Sequence, residues 1–237
     1  MMQGPLANQI AVVTGASSGI GNAIALALGA QGAKLCLLGR NVSELEIAAP
    51  QVAKFMVDLA EETQIHKVAC AVQKEFDAVD LLIHSAGVYI AQRLEATSPA
   101  DFDLQYRVNV RAPYLLTQAF LPLLLKRRGQ IVFINSSAVR HVPQAGISQY
   151  AASKAALKAI ADSLRNEVNP GGVRVLSVFA GRTATPMQAA IHKAEGKEYR
   201  PERLLQPEDI ASVVINALRL PRTAEVTDID IRSMQKP

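Results

Sequence analysis

Apolar residues in this chain fall into short continuous runs, separated by longer segments in which they recur at helical spacing. The segment 62–76 shows that spacing most clearly, with Ile65, Val68, Ala69 and Val72 on one face. The continuous runs predict buried strands at 10–14, 34–39, 53–57, 79–83, 130–135, 173–179 and 226–231. Strands that are apolar throughout are buried on both faces, so the alternation predicts an α/β fold: a doubly wound parallel sheet of about seven strands with helices on both faces.

Local signals set several helix boundaries. Residues 42–49 leave room only for a short helix before a proline. Ser98, which is followed by a proline, is a typical N-cap, and the helix it begins is predicted to run to about Lys126. Pro113 and Pro122 lie inside that helix and should kink or break it. Two further helices are predicted at 151–168 and 207–218.

Composition narrows the class of protein. The chain has 237 residues, 49% of them hydrophobic, which suits one domain spanning 1–237. The net charge of +4 is small, and only 5% of the residues are aromatic, with no tryptophan. Both observations argue against a nucleic-acid partner. Cys36 and Cys70 indicate reduced thiols, and no group has metal-ligand spacing. With no signal-type segment and no apolar run near the roughly 18 residues of a membrane span, we expect a cytoplasmic protein and no membrane partner.

A glycine-rich turn follows the first predicted strand and precedes a helix. Its residues are Gly15, Ser17, Ser18, Gly19, Ile20 and Gly21. Glycines permit a tight turn and close approach of the backbone to a ligand, and the next helix offers N–H groups and the positive end of its dipole to a phosphate. This arrangement favours a dinucleotide site, and the alternative is a purely structural turn.

The end of the second predicted strand bears on the choice of cofactor. There Gly39 is followed by Arg40. In dinucleotide-binding folds this point meets the adenosine ribose, where an acidic residue binds the 2′-hydroxyl of NAD and repels a 2′-phosphate. An arginine fork suits a phosphate instead. The position predicts a preference for NADP(H) over NAD(H), and the alternative is an ordinary surface arginine.

A tyrosine and a lysine open the helix predicted at 151–168. Tyr150 and Lys154 are one helical turn apart, so their side chains share a face. A free tyrosine has a pKa of about 10, and a nearby ammonium could lower it enough for proton exchange near neutral pH. On its own, the pair is more typical of an amphipathic helix with a snorkelling lysine.

Several other polar or glycine positions fall just past the carboxyl ends of predicted strands. They are the glycine-rich turn, Asp58, Gly87, Ser137 and Gly181. In a parallel sheet these ends lie along one edge, where ligands bind. Their convergence on one crevice favours a catalytic role for Tyr150 and Lys154.

These motifs resemble the short-chain dehydrogenase/reductase family over nearly the whole chain, which implies a Rossmann-type fold. Residues 14–21 match the family's TGxxxGIG motif, and Tyr150 with Lys154 matches its YxxxK pair. Ser137 lies 13 positions before Tyr150, the usual spacing of the family's catalytic serine, and Ser136 is the alternative. The implied catalytic residues are Asn109, Ser137, Tyr150 and Lys154. The expected cofactor-binding residues are Gly15, Ser17, Ser18, Gly19, Ile20, Gly21, Arg40, Asp58, Leu59, Ser85, Ala86, Gly87, Tyr150, Lys154, Gly181, Thr183 and Thr185.

Some positions depart from the family's pattern. Ser85 stands where the family usually has an asparagine that braces the central sheet, so we expect an effect on stability more than on activity. Ala180 replaces a proline, which loosens one loop wall. The predicted 42–49 helix is short, and the last strand lacks the glycine pair that often follows it.

The resemblance implies reversible hydride transfer between NADP(H) and a small-molecule carbonyl or alcohol. Tyr150 would exchange the proton, and Lys154 would lower the tyrosine pKa and bind the nicotinamide ribose. Ser137 would hydrogen-bond the substrate oxygen, and Asn109 would position a water between Lys154 and solvent.

Substrate identity is expected to depend on residues 89–93, 138–148 and 183–205, the last forming a mobile lid. His141 could line the substrate entrance, although a surface histidine is the simpler interpretation, and His84 is interpreted as structural. Family members are commonly homodimers or homotetramers formed through two long helices, here 101–126 and 150–168.

Two other classes of function stay open. One is a catalytically silent regulator that senses NADP(H) with the same fold, and the complete set of implied catalytic residues argues against it. The other is a lyase or epimerase. Those relatives usually carry a longer substrate domain than the residues after Leu205 could build.

Overall fold

Strands and helices alternate along the chain in the computed structural model, which describes residues 6–140 and 144–235. The strands are β1 (Ile10–Thr14), β2 (Lys34–Gly39), β3 (Val52–Met56), β4 (Leu81–His84), β5 (Gln130–Ser136), β6 (Arg174–Ala180) and β7 (Asp228–Ile231). The helices are α1 (Gly19–Ala30), α2 (Glu62–Glu75), α3 (Pro99–Tyr106), α4 (Ala112–Arg127), α5 (Ser148–Val168), α6 (Pro186–Ala194) and α7 (Pro207–Leu218).

The strands form one sheet in the order β3-β2-β1-β4-β5-β6-β7, and every neighbouring pair is parallel. Because successive residues of a strand point to opposite faces, the sheet separates two apolar clusters. Val13 packs in the cluster that includes α1 and α7, and Val12 packs in the cluster that includes α2, α4 and α5. The predicted doubly wound α/β fold is confirmed.

The predicted short helix at 42–49 is wrong. The segment has no helical turn, and Leu45 and Ile47 pack against the α1 side of the core while the glutamates beside them are exposed. A Cβ added to Gly29 would lie 2.6 Å from the carbonyl oxygen of Ala48, so α1 accepts the segment at close range. The alternation of apolar and polar residues has period two, which is typical of extended backbone.

The long helix predicted from Ser98 is divided into α3 and α4 by one π-helical turn, Arg107–Arg111. Pro113 follows this turn and has no N–H to donate to the carbonyl of Asn109, so a wider turn is the local response. The break predicted as an option at Pro122 does not occur, since α4 continues to Arg127.

The loops after β1, β2, β4, β5 and β6 all leave the sheet at its carboxyl edge. The strand order reverses between β1 and β4, and ligands of such sheets bind in the crevice beside this reversal. Helix α1 begins at this edge, at Gly19 within the glycine-rich turn. Within the described ranges, no helix has the length and apolar character needed to cross a membrane.

Candidate active site

Two adjoining cavities lie at the carboxyl edge of the sheet, with volumes of about 330 and 270 Å³. Every residue predicted to bind the cofactor lines one cavity or both. The cavity at the glycine-rich turn is lined by Gly15, Ser17, Ser18, Gly19, Ile20, Gly21, Arg40, Asp58, Leu59, Ser85, Ala86, Gly87 and Thr185. The cavity at α5 is lined by Tyr150, Lys154, Gly181, Thr183 and both candidate serines, Ser136 and Ser137.

Main chain shapes the cavity at the glycine-rich turn. Gly15 has a φ of +67°, and a Cβ there would lie 2.8 Å from the backbone of Ala86. A Cβ on Gly21 would lie 2.4 Å from the carbonyl oxygen of Gly15. Side chains are therefore excluded at both positions, and the first turn of α1 lines the cavity directly. This is the form of backbone that a phosphate group can approach.

Arg40 and Asp58 border the far end of the same cavity. Arg40 is exposed and follows β2 directly. The Asp58 carboxylate accepts a hydrogen bond of 2.9 Å from the backbone N–H of Ala60, which fixes the loop before α2. The guanidinium of Arg40 is thus open to solvent, whereas the Asp58 carboxylate is hydrogen-bonded within its own loop.

Ser85 contributes to the central sheet through its main chain. The backbone N–H groups of Ser85 and Ala86 both donate to the Thr14 hydroxyl oxygen, each at 3.1 Å, and that hydroxyl donates to the carbonyl of Ile83 at 3.3 Å. Thr14 therefore ties the ends of β1 and β4 together. The Ser85 side chain is left to line both cavities.

Three buried amide side chains hold the segment after β4 in an extended course. Asn109 accepts from the N–H of Val88 at 2.8 Å and donates to its carbonyl at 2.9 Å. Gln105 accepts from the N–H of Ile90 at 3.1 Å, and Gln149 donates to its carbonyl at 3.0 Å. Gln105 and Gln149 were not among the residues singled out from sequence, because a buried amide carries no motif of its own.

This clamp aims Tyr89 at the α5 cavity. The rings of Tyr89 and Tyr150 meet edge to face, with centroids 4.8 Å apart and planes at 69°. Asn109 also donates to the Ser153 hydroxyl at 3.1 Å. Both N–H groups of its side-chain amide are therefore engaged, one with Val88 and one with Ser153.

Of the two candidate serines, Ser136 is the one whose hydroxyl lowers the Tyr150 pKa. Ser136 is the last residue of β5 and pairs with Ala180 on β6, so the sheet fixes its position. Ser137 begins the 3₁₀ turn that follows and lines the same cavity. The spacing favours Ser137, and the influence on the Tyr150 pKa favours Ser136, so both serines stay candidates.

The tyrosine pKa does not follow the prediction made from helical spacing. Burial raises the pKa of Tyr150, and the Ser136 hydrogen bond opposes this only in part. Burial lowers the pKa of Lys154 to about 8. The Lys154 ammonium donates a hydrogen bond of 2.9 Å to the carbonyl oxygen of Ile134 in β5. Desolvation is therefore the largest influence on the pKa of both groups.

The segment after β6 closes the cavities from the other side. Thr185 caps α6 by accepting from the N–H of Gln188 at 3.2 Å, and a Cβ on Gly19 would lie 2.9 Å from the Thr185 methyl group. The Thr183 hydroxyl donates to the carbonyl of Gly181 at 3.0 Å. The predicted lid region therefore packs directly on the glycine-rich turn.

The remaining polar candidates do not join the site. His84 stacks on Phe133, contacts the Thr117 hydroxyl at 2.9 Å, and has a pKa lowered to about 3 by burial, which agrees with a structural role. His141 lies outside the described residues. Among residues 6–140 and 144–235, no cluster of His, Cys, Asp and Glu could hold a metal ion.

Comparisons with known proteins agree with the fold. A family model described as short chain dehydrogenase matches residues 9–196. An uncharacterized oxidoreductase of Staphylococcus epidermidis is 34% identical over 228 residues, covering 94% of this chain and 96% of the relative. A metagenomic short-chain oxidoreductase in complex with NADP has a TM-score of 0.83 and 32% identity, covering 98% of this chain and 100% of that chain.

An alcohol dehydrogenase from the archaeon Thermococcus sibiricus, complexed with 5-hydroxy-NADP, has a TM-score of 0.83 and 28% identity, covering 97% of this chain and 98% of that chain. The chain therefore belongs to the short-chain dehydrogenase/reductase family, and it is an oxidoreductase of that family.

Proposed function

We propose that the protein transfers hydride reversibly between NADP(H) and a small-molecule carbonyl or alcohol. The observation that carries this proposal is the joining of two features in one crevice. A cavity shaped by glycine backbone adjoins a cavity that contains Ser136, Tyr150 and Lys154. The first is suited to a dinucleotide, and the second is suited to moving a proton at a substrate oxygen.

The cofactor fits the residues present. The turn from Gly15 to Gly21 would hold the pyrophosphate, because its residues line the cavity and a Cβ at either end would clash with the backbone that shapes it. Asp58 and Leu59 would contact the adenine. Lys154, Gly181, Thr183 and Thr185 would hold the nicotinamide end. NADP(H), when bound, supplies or accepts the hydride.

The protein's own residues handle the proton. A raised pKa keeps Tyr150 protonated at neutral pH, so it is prepared to donate to a carbonyl oxygen in the reductive direction. Ser136, which lowers the Tyr150 pKa, would donate to the same oxygen, where negative charge develops, and Ser137, predicted from its spacing to Tyr150, is the alternative for this role. The backbone carbonyl of Asn109, which has no helical donor at Pro113, would hold a water that reconnects Lys154 to solvent.

The preference for NADP(H) rests on Arg40, since members of the family use NAD(H) as well. The guanidinium would pair with the 2′-phosphate, and the fixed Asp58 would serve either cofactor. We expect Kd for NADPH to be lower than Kd for NADH, and Arg40→Ala to remove most of the difference. A charge-assisted hydrogen bond of about 1.5–3 kcal/mol corresponds to a factor of about ten to a hundred. Equal affinity in the unaltered protein would contradict the assignment.

The central test is Tyr150→Phe. It removes the hydroxyl and keeps the ring that packs on Tyr89, so we expect turnover to fall by about a hundredfold to ten-thousandfold with NADPH affinity nearly unchanged. Turnover is measured as NADPH oxidation with a panel of ketones and aldehydes, and NADPH affinity is measured by fluorescence titration. A variant with near-normal turnover would refute the proton role. Tight NADPH binding without turnover of any substrate by the unaltered protein would favour the sensing regulator.

We also propose that the chain acts as one domain, with 183–205 as its lid, and that it forms a homodimer or homotetramer through its long helices. Phe102, Tyr114 and Leu125 are large apolar side chains that lie exposed on α3 and α4. Light scattering of the purified protein measures the mass. A monomer at micromolar concentration would contradict this expectation.

A further inference from the structure

The α5 cavity carries one more positive charge than proton transfer requires. Two charged residues line it, Lys154 and Arg182, and no acidic residue is found among the described residues of its wall. Lys154 belongs to the proposed proton-transfer group, whereas Arg182 has no part in it. A cation that faces an otherwise neutral cavity is a binding partner for an anion.

Arg182 is held in place before any ligand arrives. It directly follows Gly181, and its Nη1 and Nη2 atoms hydrogen-bond the Glu195 carboxylate at 2.9 and 3.2 Å. Glu195 lies at the end of α6 and also pairs with the ammonium of Lys197 at 2.9 Å. The charges of Arg182, Glu195 and Lys197 sum to +1. A guanidinium has five N–H groups, so Arg182 keeps donors for a second carboxylate.

The neighbours of Arg182 locate it at the substrate end. Burial raises the pKa of Tyr89, and Glu195 raises it further while Arg182 lowers it, so the Tyr89 phenol lies in the field of both. The Tyr89 ring in turn contacts the ring of Tyr150. Gln188 is buried, lines the cavity, and has its amide 3.0 Å from a ring nitrogen of His192. A fixed cation and a fixed amide thus share a wall with the proton donor.

We propose that the substrate carries a carboxylate in addition to its reacting carbonyl or hydroxyl group, and that Arg182 binds this carboxylate. The inference rests on the hydride-transfer function proposed above. In the reductive direction, a keto acid, NADPH and a proton give a hydroxy acid and NADP⁺, with the proton delivered by Tyr150. Ile147, Met187 and Ile191 provide apolar wall for the carbon chain between the two groups. A planar fork opposite a carboxylate fixes orientation as well as affinity.

The test compares keto acids with their own methyl esters. Alpha-, beta- and gamma-keto acids and the matched esters are assayed with NADPH, using the unaltered protein and Arg182→Met, Arg182→Lys and Arg200→Met. We expect kcat/KM to favour the acid by about tenfold to a hundredfold for at least one chain length. Arg182→Met should abolish that ratio, and Arg182→Lys should keep part of it.

Arg200→Met is the matched control. Arg200 is an exposed residue of the same segment that pairs with Glu198, so the change removes an equal charge without touching the cavity wall. The acid-to-ester ratio should keep its unaltered value. A ratio near one in the unaltered protein, or a ratio that survives Arg182→Met, would overturn the inference while leaving hydride transfer intact.

A binding measurement separates failure of the inference from failure of the proposed function. Keto acids and esters are added to the protein with NADP⁺, which cannot reduce them, and the thermal midpoint is followed. Stabilisation by an acid but not by its ester, lost in Arg182→Met, supports the carboxylate site whether or not turnover is found. No stabilisation by any acid would overturn it.

Discussion

Along one edge of the sheet, the glycine-rich turn and the pocket around Tyr150 are built in opposite ways. At the turn, main chain packs on main chain. Gly15 has a φ of +67° and approaches the backbone of Ala86, and Gly21 approaches Gly15 in the same manner. At the pocket, buried side chains set the shape. The ammonium of Lys154 donates to the carbonyl of Ile134, and Asn109 binds both backbone groups of Val88.

The difference indicates how substitutions would impair the glycine-rich turn and the Tyr150 pocket. A site made by backbone is closed by a single added methyl group, and its electrostatics come from fixed peptide dipoles. A site made by buried polar side chains tolerates small changes of shape, but every charge in it is held against a cost of desolvation. Substitutions at the glycine-rich turn should act on cofactor binding, and substitutions in the Tyr150 pocket should act on the chemical step and on stability.

The largest effect is expected at the turn. Gly15→Ala places a Cβ 2.8 Å from the Ala86 backbone and forces a side chain into positive φ. We expect the affinity for NADPH to fall by at least about a hundredfold, equivalent to about 3 kcal/mol. The thermal midpoint should fall as well, because such backbone strain costs about 1–3 kcal/mol. Fluorescence titration and thermal unfolding measure the two effects.

Gly172→Ala is the control that separates the effect of backbone strain from the effect of lying at the cofactor cavity. Gly172 also has positive φ, at +81°, but it follows α5 away from the crevice, and its near neighbours are the flexible side-chain atoms of Arg128. The variant should lose stability and bind NADPH normally. If both glycine variants bind NADPH equally well, the close approach at Gly15 has no role in holding the cofactor.

The next effect concerns the two serines. Ser136→Ala removes the hydroxyl that lowers the Tyr150 pKa, and loss of one donor to a developing oxyanion costs about a hundredfold to a thousandfold in kcat. Ser137→Ala should cost less than about tenfold, since its hydroxyl lies one residue beyond the strand. Steady-state kinetics of both variants decide between them. The reverse order would restore the assignment made from spacing.

The pair of serines shows how far sequence reasoning reaches. Counting back from Tyr150 crosses the loop 137–147, whose length no local physics constrains, and it selects Ser137. Counting along β5 selects Ser136, because the register with β6 fixes where the strand ends. The strands, the turn and the crevice followed from apolar periodicity and from the rule that parallel strands end at one edge.

Other features could not be read from the chain because they depend on distant contacts. The clamp on Val88 and Ile90 joins amides from α3, the π-helical turn and α5, which no local pattern brings together. The direction of the Tyr150 pKa depends on burial, and helical spacing alone says nothing of burial. The extended segment 42–49 is a different case, since its period-two pattern was present and was misread as a short helix.

A change in stability with pH tests whether the pocket holds its charge at a cost. Burial lowers the pKa of Lys154 from 10.5 to about 8. Below about pH 8, Lys154 carries its proton in both the folded and the unfolded chain. The full free-energy cost of burying the ammonium then applies, at most about 3 kcal/mol from the size of the pKa shift. Between the two values the unfolded chain binds more protons, so the free energy of unfolding rises with pH.

Lys154→Met removes the charge and this pH dependence, although the carbonyl of Ile134 loses its donor. Relative to the variant, the unaltered protein should therefore gain stability between about pH 7 and about pH 10, by up to about 3 kcal/mol. Urea unfolding at both pH values measures the change. Lys158→Met is the control, because its ammonium is partly exposed on the same helix and pairs with Asp162. A difference between Lys154→Met and the unaltered protein that stays constant with pH would mean that the ammonium is held without cost, and that the proposed contrast between the glycine-rich turn and the Tyr150 pocket is wrong.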